Sequence, residues 1–394
     1  MIYLYNPHVD DLLGEPPHFK YLGRRPLKKY GFFIEQSMLN GKKINICIDN
    51  TISAFIPSNL FSKIPLFFRK MIVKIEFRKW LKLNNLSLKD VVLKDETEKR
   101  SSDVLLAFSY KLATGNFEER RATFDAFRHV VFHLSHYFVS TNEKANNMKS
   151  VPNALLAGDS DITENEYFKC FFSWYEKPFL VLPFAVAGRF KKVKPIVDRK
   201  AMALATGSLH DLKQELPAEK YRDYMGTTGA DNYHPVRKMI YSERNSALKY
   251  IDCRISYYRD YGKSNSLINF LAHFVVSQKK YFGIDIVSLY NDYRFAVVGE
   301  ELSGFPALGS FEAMSCGCVL IGESKCYVGL GLLPDVHFIE HSGTLDSILD
   351  AIDRKGATEI EVISETGKKT IDRCFSPKSS FQTWNDVLSC DFEK

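Results

Sequence analysis

The sequence lacks the features that would place this chain across a membrane or on nucleic acid. No apolar run approaches the ~20 residues that span a bilayer. The first residues, MIYLYNPHVDD, have neither the basic segment nor the apolar core of a signal peptide. Lys and Arg exceed Asp and Glu by 53 − 47 = 6, which is too little to indicate nucleic-acid binding. We therefore expect a cytoplasmic protein with no nucleic-acid partner.

Metal-site spacing is also missing. The eight cysteines follow no zinc pattern, and Cys316 and Cys318 are too close together for a zinc knuckle, which favours reduced thiols. His129 and His133 have the spacing of two ligands on one helix face, but no HExxH sequence is present. The sequence therefore predicts no metal and no cofactor.

What is present is the composition of an ordinary globular protein with two domains. The chain has 394 residues, of which 45% are hydrophobic and 25% charged, so each half can bury its own core. The composition changes at Gly188–Lys200, which carries six basic residues around Pro195. We expect an N-terminal α/β domain over 1–195 with helical insertions, a nucleotide-sugar-binding domain over 196–370, and a closing helix within 371–394.

Periodicity predicts the elements of the N-terminal domain. Three short apolar runs read as strands: Ile2–Tyr5, Ile44–Ile48 and Val104–Ser109. The apolar stripe within Glu118–Phe138 predicts a long helix. Leu60–Leu83 predicts a basic amphipathic helix with Phe68, Met71 and Ile75 on one face. Such a helix either packs against its own domain or makes a peripheral contact with the anionic inner membrane.

The second half alternates strands and helices. The predicted strands are Ala201–Ala205, Phe295–Val298 and Cys318–Ile321, and the predicted helices are Arg244–Ile255, Leu267–Ser277, Leu345–Ile352 and Gly367–Cys374. Alternation of this kind predicts a parallel, doubly wound sheet and an α/β fold class.

The stretch Tyr293–Gly322 is the most informative in the chain. A buried strand runs into a loop that contains Glu300 and Glu301, and Ser310 and Glu312 then begin a short helix. Loops at the carboxyl ends of parallel strands bind ligands, and the N–H groups of a helix start attract anions. The stretch therefore predicts a nucleotide site in which Ser310 and Glu312 participate.

A second strand end supplies further candidates for donor binding. Ala201–Ala205 leads into Thr206-Gly207-Ser208, where the backbone can approach a ligand closely. We expect Ser208 and His210 to contact the donor. Arg199 and Lys200 precede this strand and could neutralise a phosphate or a sugar carboxylate, or could belong to a solvated linker.

A third cluster lies in Gly229–Arg237, GADNYHPVR. Sugar transfer from a nucleotide needs a carboxylate near the anomeric carbon and a cation or His near the departing phosphate. Asp231, Asn232, His234 and Arg237 are the candidates for these catalytic roles. The alternative is a solvated turn, for which Asp and Asn are common formers.

These motifs resemble those of a known enzyme class. Gly-Ser-Phe-Glu-Ala at Gly309–Ala313 is similar to the donor-binding end of GT-B glycosyltransferases. With the His234-Pro235 motif before it, the chain resembles the retaining β-Kdo transferases (WbbB-type domains) of bacterial O-antigen and lipopolysaccharide assembly. The resemblance implies a modified GT-B fold, two Rossmann-like domains facing a central cleft, with extra helices.

The same resemblance implies function and site. The substrate would be CMP-β-Kdo, with Kdo transferred to an oligosaccharide or lipid-linked acceptor with retention and without a metal. Glu312 would contact the ribose, while Ser310 would face the phosphate. In that family a carboxylate just before Tyr-His-Pro acts as the nucleophile. That position is Asn232 here, so either the adjacent Asp231 serves, or the chain is a nucleophile-replaced variant that binds donor and transfers poorly.

Two further hypotheses stay open at the level of sequence. An inverting, fucosyl- or exostosin-like transferase using a nucleoside diphosphate sugar also fits the Ser-Phe-Glu helix, and the His-Pro motif argues against it. A catalytically silent glycan- or nucleotide-binding domain fits Asn232. Binding measurements with a panel of nucleotides test the first hypothesis. Recovery of sugar transfer in an Asn232→Asp variant would exclude the second.

Overall fold

The computed structural model describes residues 1–9, 30–56, 58–95, 100–108, 110–113, 115, 117–134, 141–209, 212–215, 218–257 and 284–390. The chain divides into two compact units. The first contains 1–158, 169–182 and 381–394, and the second contains 159–168 and 183–380. Each is built around a parallel sheet.

The first unit contains a seven-stranded parallel sheet in the order β3-β2-β1-β4-β5-β6-β7. Its central strands are apolar along most of their length because helices and loops cover both faces of such a sheet. The strands are β1 (Ile2–Tyr5), β2 (Ile44–Ile48), β3 (Val91–Asp95), β4 (Arg100–Ala107), β5 (Phe127–His133), β6 (Ala154–Gly158) and β7 (Leu180–Val181).

The second unit contains a five-stranded parallel sheet in the order β10-β8-β12-β13-β14, and a two-stranded sheet of β11 and β9. The strands are β8 (Lys200–Ala205), β9 (Ser208–Leu209), β10 (Ile251–Cys253), β11 (Ser256–Tyr257), β12 (Tyr293–Val297), β13 (Val319–Gly322) and β14 (Ile339–Glu340). From β8 the chain builds β10 on one side and then crosses to β12 on the other. The topological switch point therefore lies between β8 and β12.

The helices occupy the connections between strands. Along the described chain they are α1 (Gly31–Leu39), α2 (Ser58–Phe61), α3 (Leu66–Leu83), α4 (Arg121–Asp125), α5 (Thr141–Lys149), α6 (Glu166–Phe172), α7 (Leu212–Glu215), α8 (Ala218–Thr228), α9 (Pro235–Ser242), α10 (Ile286–Asp292), α11 (Leu308–Ser315), α12 (Ser324–Tyr327), α13 (Leu345–Asp353), α14 (Ala357–Cys374) and α15 (Pro377–Leu388). Short 3₁₀ segments are Leu88–Asp90, Tyr110–Ala113, Phe117–Arg120, Ile196–Asp198 and Val328–Leu330. None of the helices seen in the described ranges is both long and apolar enough to cross a bilayer.

Trp384 of α15 belongs to the core of the first unit. It is fully buried and stacks on Phe108 at a centroid distance of 5.4 Å. It also meets Phe32 edge-on at 5.0 Å and lies 5.9 Å from the ring of His133. Helix α15 thus completes a core whose members Phe32, Phe108 and His133 come from much earlier in the sequence.

The predicted fold class is confirmed. Both halves are α/β with parallel sheets, as the alternation of strands and helices indicated. Ile2–Tyr5 and Ile44–Ile48 are strands with the predicted bounds, and Leu345–Ile352 lies within α13.

The predicted helix over Glu118–Phe138 is wrong. A 3₁₀ turn and α4 end at Asp125, and strand β5 (Phe127–His133) follows. Phe127, Val130 and Val131 satisfy helical spacing, but they are aromatic and β-branched and pack on both faces of a buried strand. His129 and His133 are therefore strand residues, and Nε2 of His133 lies 2.9 Å from the carbonyl oxygen of Leu182.

Two other predicted helices, in the second half of the chain, are not found in the described residues. Arg244–Ile255 is wrong, because α9 ends at Ser242, turns follow, and Ile251–Cys253 is strand β10. Leu267–Ser277 lies outside the described residues.

The predicted helix over Leu60–Leu83 is present, but Pro65 divides it. Pro65 is the N-cap of α3, and the short α2 ends at Phe61. The core-facing residues of α3 are Val73, Phe77, Trp80 and Leu81. Phe68, Met71 and Ile75 share a face as predicted, and that face is exposed.

Candidate active site

The candidate site lies within the second unit, at the carboxyl edge of its main sheet. Strands β8, β12, β13 and β14 are parallel, so the residues that follow them meet at one edge. Those residues include Ser208, Glu300, Glu323 and His341.

Arg237 of α9 spans the switch point of this sheet. Its Nε donates to the carbonyl oxygen of Val298 at 2.6 Å, and its Nη1 donates to that of Ser208 at 3.2 Å. Val298 follows β12 and Ser208 begins β9 just after β8. The buried guanidinium thus fixes a positive charge where open α/β sheets bind ligands.

Two glycines make room for Arg237. Gly207 and Gly299 have φ values of +131° and +70°, a region that other residues adopt only with strain. A Cβ on Gly207 would lie 2.6 Å from Nε of Arg237, and one on Gly299 would lie 2.8 Å from its Cγ. The close approach of the side chain to both strand ends therefore requires glycine.

In the segment before α9, the two candidate nucleophile positions, Asp231 and Asn232, differ in burial. Asn232 is buried and its Oδ1 accepts a hydrogen bond from the backbone N–H of His234 at 2.9 Å. His234 caps α9 and Pro235 is its first residue, which suits proline because no N–H is needed there. Asp231 is exposed. The neighbouring side chains therefore point in different directions, with position 232 inward.

Glu301 is connected to the same segment through Tyr233. The Tyr233 hydroxyl donates to Oε2 of Glu301 at 3.0 Å, and the N–H of Leu302 donates to the Tyr233 carbonyl oxygen at 2.9 Å. Burial and the charge of Glu301 raise the pKa of Tyr233 well above its ordinary value, so the phenol stays neutral. The loop after β12 is thereby held against the Asn232–His234 segment.

Glu300 is buried in a hydrogen-bonded cluster with Ser310. The Tyr327 hydroxyl donates to Oε1 of Glu300 at 2.8 Å and lies 2.9 Å from Oγ of Ser310. The N–H of Glu323 also donates to Oε1 at 3.1 Å. Burial raises the pKa of Glu300, but the imidazole of His341 and the Tyr327 hydroxyl lower it more, so the net pKa lies below the ordinary value. Glu300 is therefore a carboxylate.

Glu300, Glu323 and His341 place one ligand atom each within 4.8 Å of one another, a spacing that could suit a metal ion. The imidazole argues against this. Nδ1 of His341 accepts the N–H of Gly343 at 3.0 Å, an arrangement that leaves a ring proton to Nε2. That Nε2 lies 3.7 Å from Oε2 of Glu300 and, carrying a proton, offers a metal no lone pair. With Nδ1 engaged in this way, the imidazole supplies no ligand atom to the cluster.

Glu312 lies in the second turn of α11. It is buried, and burial raises the pKa of its carboxyl to about 7, against the opposing charge of Arg189. Over the described ranges, no group donates a hydrogen bond to this carboxylate. A buried carboxylate with open acceptor sites can take two hydroxyl donors, such as those of a ribose.

Two predicted donor-binding residues lie at the opposite edge of the sheet. Arg199 precedes β8 and Lys200 begins it. The guanidinium of Arg199 is buried and donates to the carbonyl oxygens of Tyr290 and Cys316, at 3.0 and 2.8 Å, while Lys200 Nζ donates to the Tyr293 hydroxyl at 3.2 Å. A donor role for either would require a ligand at the amino edge. His210 lies outside the described residues.

The sequence did not point to Tyr233, Tyr327, Glu323 or His341. His341 comes directly after β14, so the strand-end rule that selected Ser208 and Glu300 would have found it, had that two-residue strand been recognised. The two tyrosines gave no comparable signal, because their role depends on a buried carboxylate opposite them.

The sequence matches no known family description and no curated protein. Solved structures do match. Sucrose-phosphate synthase of Thermosynechococcus elongatus superposes with a TM-score of 0.54 at 12% identity, over 98% of this chain and 97% of that one. HepE of Anabaena, with UDP and glucose, has a TM-score of 0.54 at 10% identity, over 99% of both chains. HepE with UDP-glucose has a TM-score of 0.54 at 11% identity, over 98% of this chain and 99% of that one.

These neighbours are GT-B glycosyltransferases, and this chain has their fold. The predicted pair of Rossmann-like domains is thereby confirmed. At 10 to 12% identity the likeness establishes fold alone.

Proposed function

We propose that this chain is a glycosyltransferase that takes a sugar from a nucleotide-activated donor bound at the carboxyl edge of the second sheet. The observation that carries the proposal is Glu312, a buried carboxylate with open acceptor sites on the helix that follows β12. Arg237, fixed at the switch point, supplies positive charge for a donor phosphate. A ribose contact and a phosphate contact together select a nucleotide.

The donor we propose is CMP-β-Kdo, with transfer of Kdo to a surface-glycan acceptor. The His234-Pro235 motif supports it. Arg237 lies at the same edge as this motif, whereas Arg199 and Lys200, the other predicted donor cations, lie at the amino edge.

Position 232 is where we propose the nucleophile of a retaining reaction. A carboxylate there would form a bond to the anomeric carbon as the bond to the CMP phosphate breaks, and CMP would leave with the electron pair. An acceptor hydroxyl would then displace the carboxylate, losing its proton as the new glycosidic bond forms. Asn232 is inward, as this role requires, but its amide cannot form the ester. We expect this chain to bind donor and transfer it poorly.

A second candidate donor is a nucleoside diphosphate sugar. The observation in its favour is that the neighbour HepE was solved with UDP and with UDP-glucose. A transferase of this type would use the same ribose contact at Glu312 and need no carboxylate at position 232.

Two measurements test the proposal. The first is calorimetric titration with CMP, UDP and UDP-glucose, for this chain and for Glu312→Gln. The second is intact mass after incubation of Asn232→Asp with fresh CMP-Kdo and no acceptor. Asn245→Asp, an exposed amide in the turns after α9, is the matched control.

We expect CMP to bind, Glu312→Gln to weaken it, and Asn232→Asp alone to gain the mass of one Kdo. Binding of UDP without CMP would move the diphosphate sugar to first place. If CMP binds and neither transfer nor mass gain appears in Asn232→Asp, the chain is a silent binding domain. If no nucleotide binds, the transferase proposal is wrong.

A further inference from the structure

Helix α3 has an unusual outer surface. Its inner side packs Val73, Phe77, Trp80 and Leu81 into the first unit. Its outer side exposes large apolar side chains, with exposed fractions from 48% for Met71 to 68% for Phe67. The full set is Phe67, Phe68, Met71 and Ile75; Leu66, the first residue of the helix, is also exposed but lies on the other side. We call this set the outer apolar face; a patch of this kind on one helix marks an interaction site.

Basic residues surround the outer apolar face. Lys63, Lys70, Lys74, Arg78 and Lys82 are all exposed. The acidic residue within α3 is Glu76, which is buried and accepts hydrogen bonds from Ser53 and from the N–H of Ala54. A nearby acid, Glu119, is paired with Arg69 at 2.8 Å. The exposed side of α3 is therefore apolar and positively charged.

The two kinds of side chain occupy one face. At 100° per residue, Met71 and Ile75 lie at its centre, with Phe67 and Phe68 to either side. Arg78 and Lys82 fall among them and Lys74 lies just beyond Phe67, and long basic side chains can carry their charges outward past buried apolar neighbours. Aromatic and aliphatic groups with interleaved basic residues are the pattern of helices that lie in a membrane interface.

We propose that the outer apolar face of α3 lies on an anionic phospholipid bilayer, in the plane of its surface. A second copy of the chain is a poorer occupant, because its face would bring the same positive charges into contact. An anionic lipid surface complements both properties, since acyl chains take the aromatic rings and the headgroups attract the basic residues.

The test is co-sedimentation of the full chain with vesicles of phosphatidylcholine alone and with about one third phosphatidylglycerol. The apolar variant is Phe67→Ser with Met71→Ser, and the charge variant is Lys70→Gln with Lys74→Gln. The control is Met38→Ser with Leu39→Ser, which removes exposed apolar groups from α1 of the same unit. All these positions are exposed, so the fold should survive, which circular dichroism checks.

We expect the parent chain to bind anionic vesicles and to lose binding as salt rises. The apolar variant should bind at least about tenfold more weakly, and the charge variant about thirtyfold more weakly, at about fivefold for each lysine. The control should bind as the parent does.

Three results would overturn the proposal: no binding of the parent chain, equal binding to neutral and anionic vesicles, or equal losses in the control and the apolar variant. Sedimentation velocity tests whether a second copy of the chain occupies the outer apolar face instead. A concentration-dependent dimer that Phe67→Ser with Met71→Ser abolishes, without vesicle binding, would assign the face to a second copy instead.

Discussion

The hydroxyl of Tyr327 donates a 2.8 Å hydrogen bond to the buried carboxylate of Glu300. The same oxygen lies 2.9 Å from the hydroxyl of Ser310, so one phenol joins the loop after β12, the start of α11 and the end of α12. Ser310 and Glu300, both predicted donor-side residues, are thus held by the protein itself. Their hydrogen bonds position the backbone at the start of α11.

Tyr327→Phe should therefore destabilise the protein. It removes the donor to Glu300 and the partner of Ser310 while keeping the ring, and the loss of a hydrogen bond to a buried charged group costs about 1–3 kcal/mol. Urea unfolding measures it, with Tyr221→Phe on α8 as the control. Equal midpoints for the two variants would contradict the role assigned to this hydroxyl.

Gly299→Ala should perturb Arg237 as well as the backbone. Gly331 has nearly the same φ, +76° against +70°, but a Cβ there would meet nothing within 4 Å. Gly331→Ala therefore measures the left-handed backbone alone, about 1–2 kcal/mol, and Gly299→Ala should cost about 1–3 kcal/mol more from crowding. Thermal unfolding of both variants gives the difference, and nucleotide affinity should fall only in Gly299→Ala. Equal destabilisation would show that Arg237 moves aside freely.

Glu312 should make stability fall as pH rises. An unfolded Glu loses its proton near 4.5, but the folded pKa is about 7. Between these values the folded state holds the extra proton, so stability is lost as pH rises through the window, by up to about 3 kcal/mol. Glu312→Gln should lack this loss and be more stable than the parent at pH 8.

The same variant should bind nucleotide more weakly at pH 8, where the parent carboxylate is ionised and accepts ribose hydroxyls. At pH 6 the parent is largely protonated and the difference should shrink. Melting temperatures and titrations at both pH values measure this. Glu361→Gln, an exposed position on α14, is the control. If the melting temperature and the nucleotide affinity of parent and Glu312→Gln change with pH in parallel, Glu312 has no role in nucleotide binding.

Removal of metal should change nothing at Glu300 and His341. Because Nδ1 of His341 accepts the N–H of Gly343, we expect no metal at Nε2, so dialysis against EDTA should leave melting temperature and nucleotide affinity unaltered, and Mg²⁺ or Mn²⁺ should add no stability. A stabilisation by Mn²⁺ that His341→Asn abolishes would show that the ring changes tautomer to bind a cation.

The sequence predicted those parts of the fold in which a single local pattern was decisive. β1, β2 and β12 are short apolar runs ended by turn residues, and only a buried parallel strand fits them. Phe127–His133 failed because its apolar residues satisfy the spacing of a helix and of a buried strand alike, and tertiary packing decides between them. The stripe of Phe68, Met71 and Ile75 was real, yet periodicity does not say which side of a helix meets the core.

The direction of the parallel strands predicted part of the candidate site. Ser208 and Glu300 share one edge because the residues after parallel strands meet there, and Arg237 reaches the same edge from α9. Arg199 and Lys200 were grouped with them for their charge, although residues that precede a strand lie at its other end. The burial of position 232 and the exposure of Asp231 depend on one Asx turn, which composition does not determine.

Trp384 has a consequence for how the protein is made. Trp384 fills the centre of a core whose members Phe32, Phe108 and His133 are translated long before it. Every residue assigned to the second unit, up to 380, is also translated before Trp384. The first unit therefore lacks its central ring until the ribosome has passed through the whole of the second.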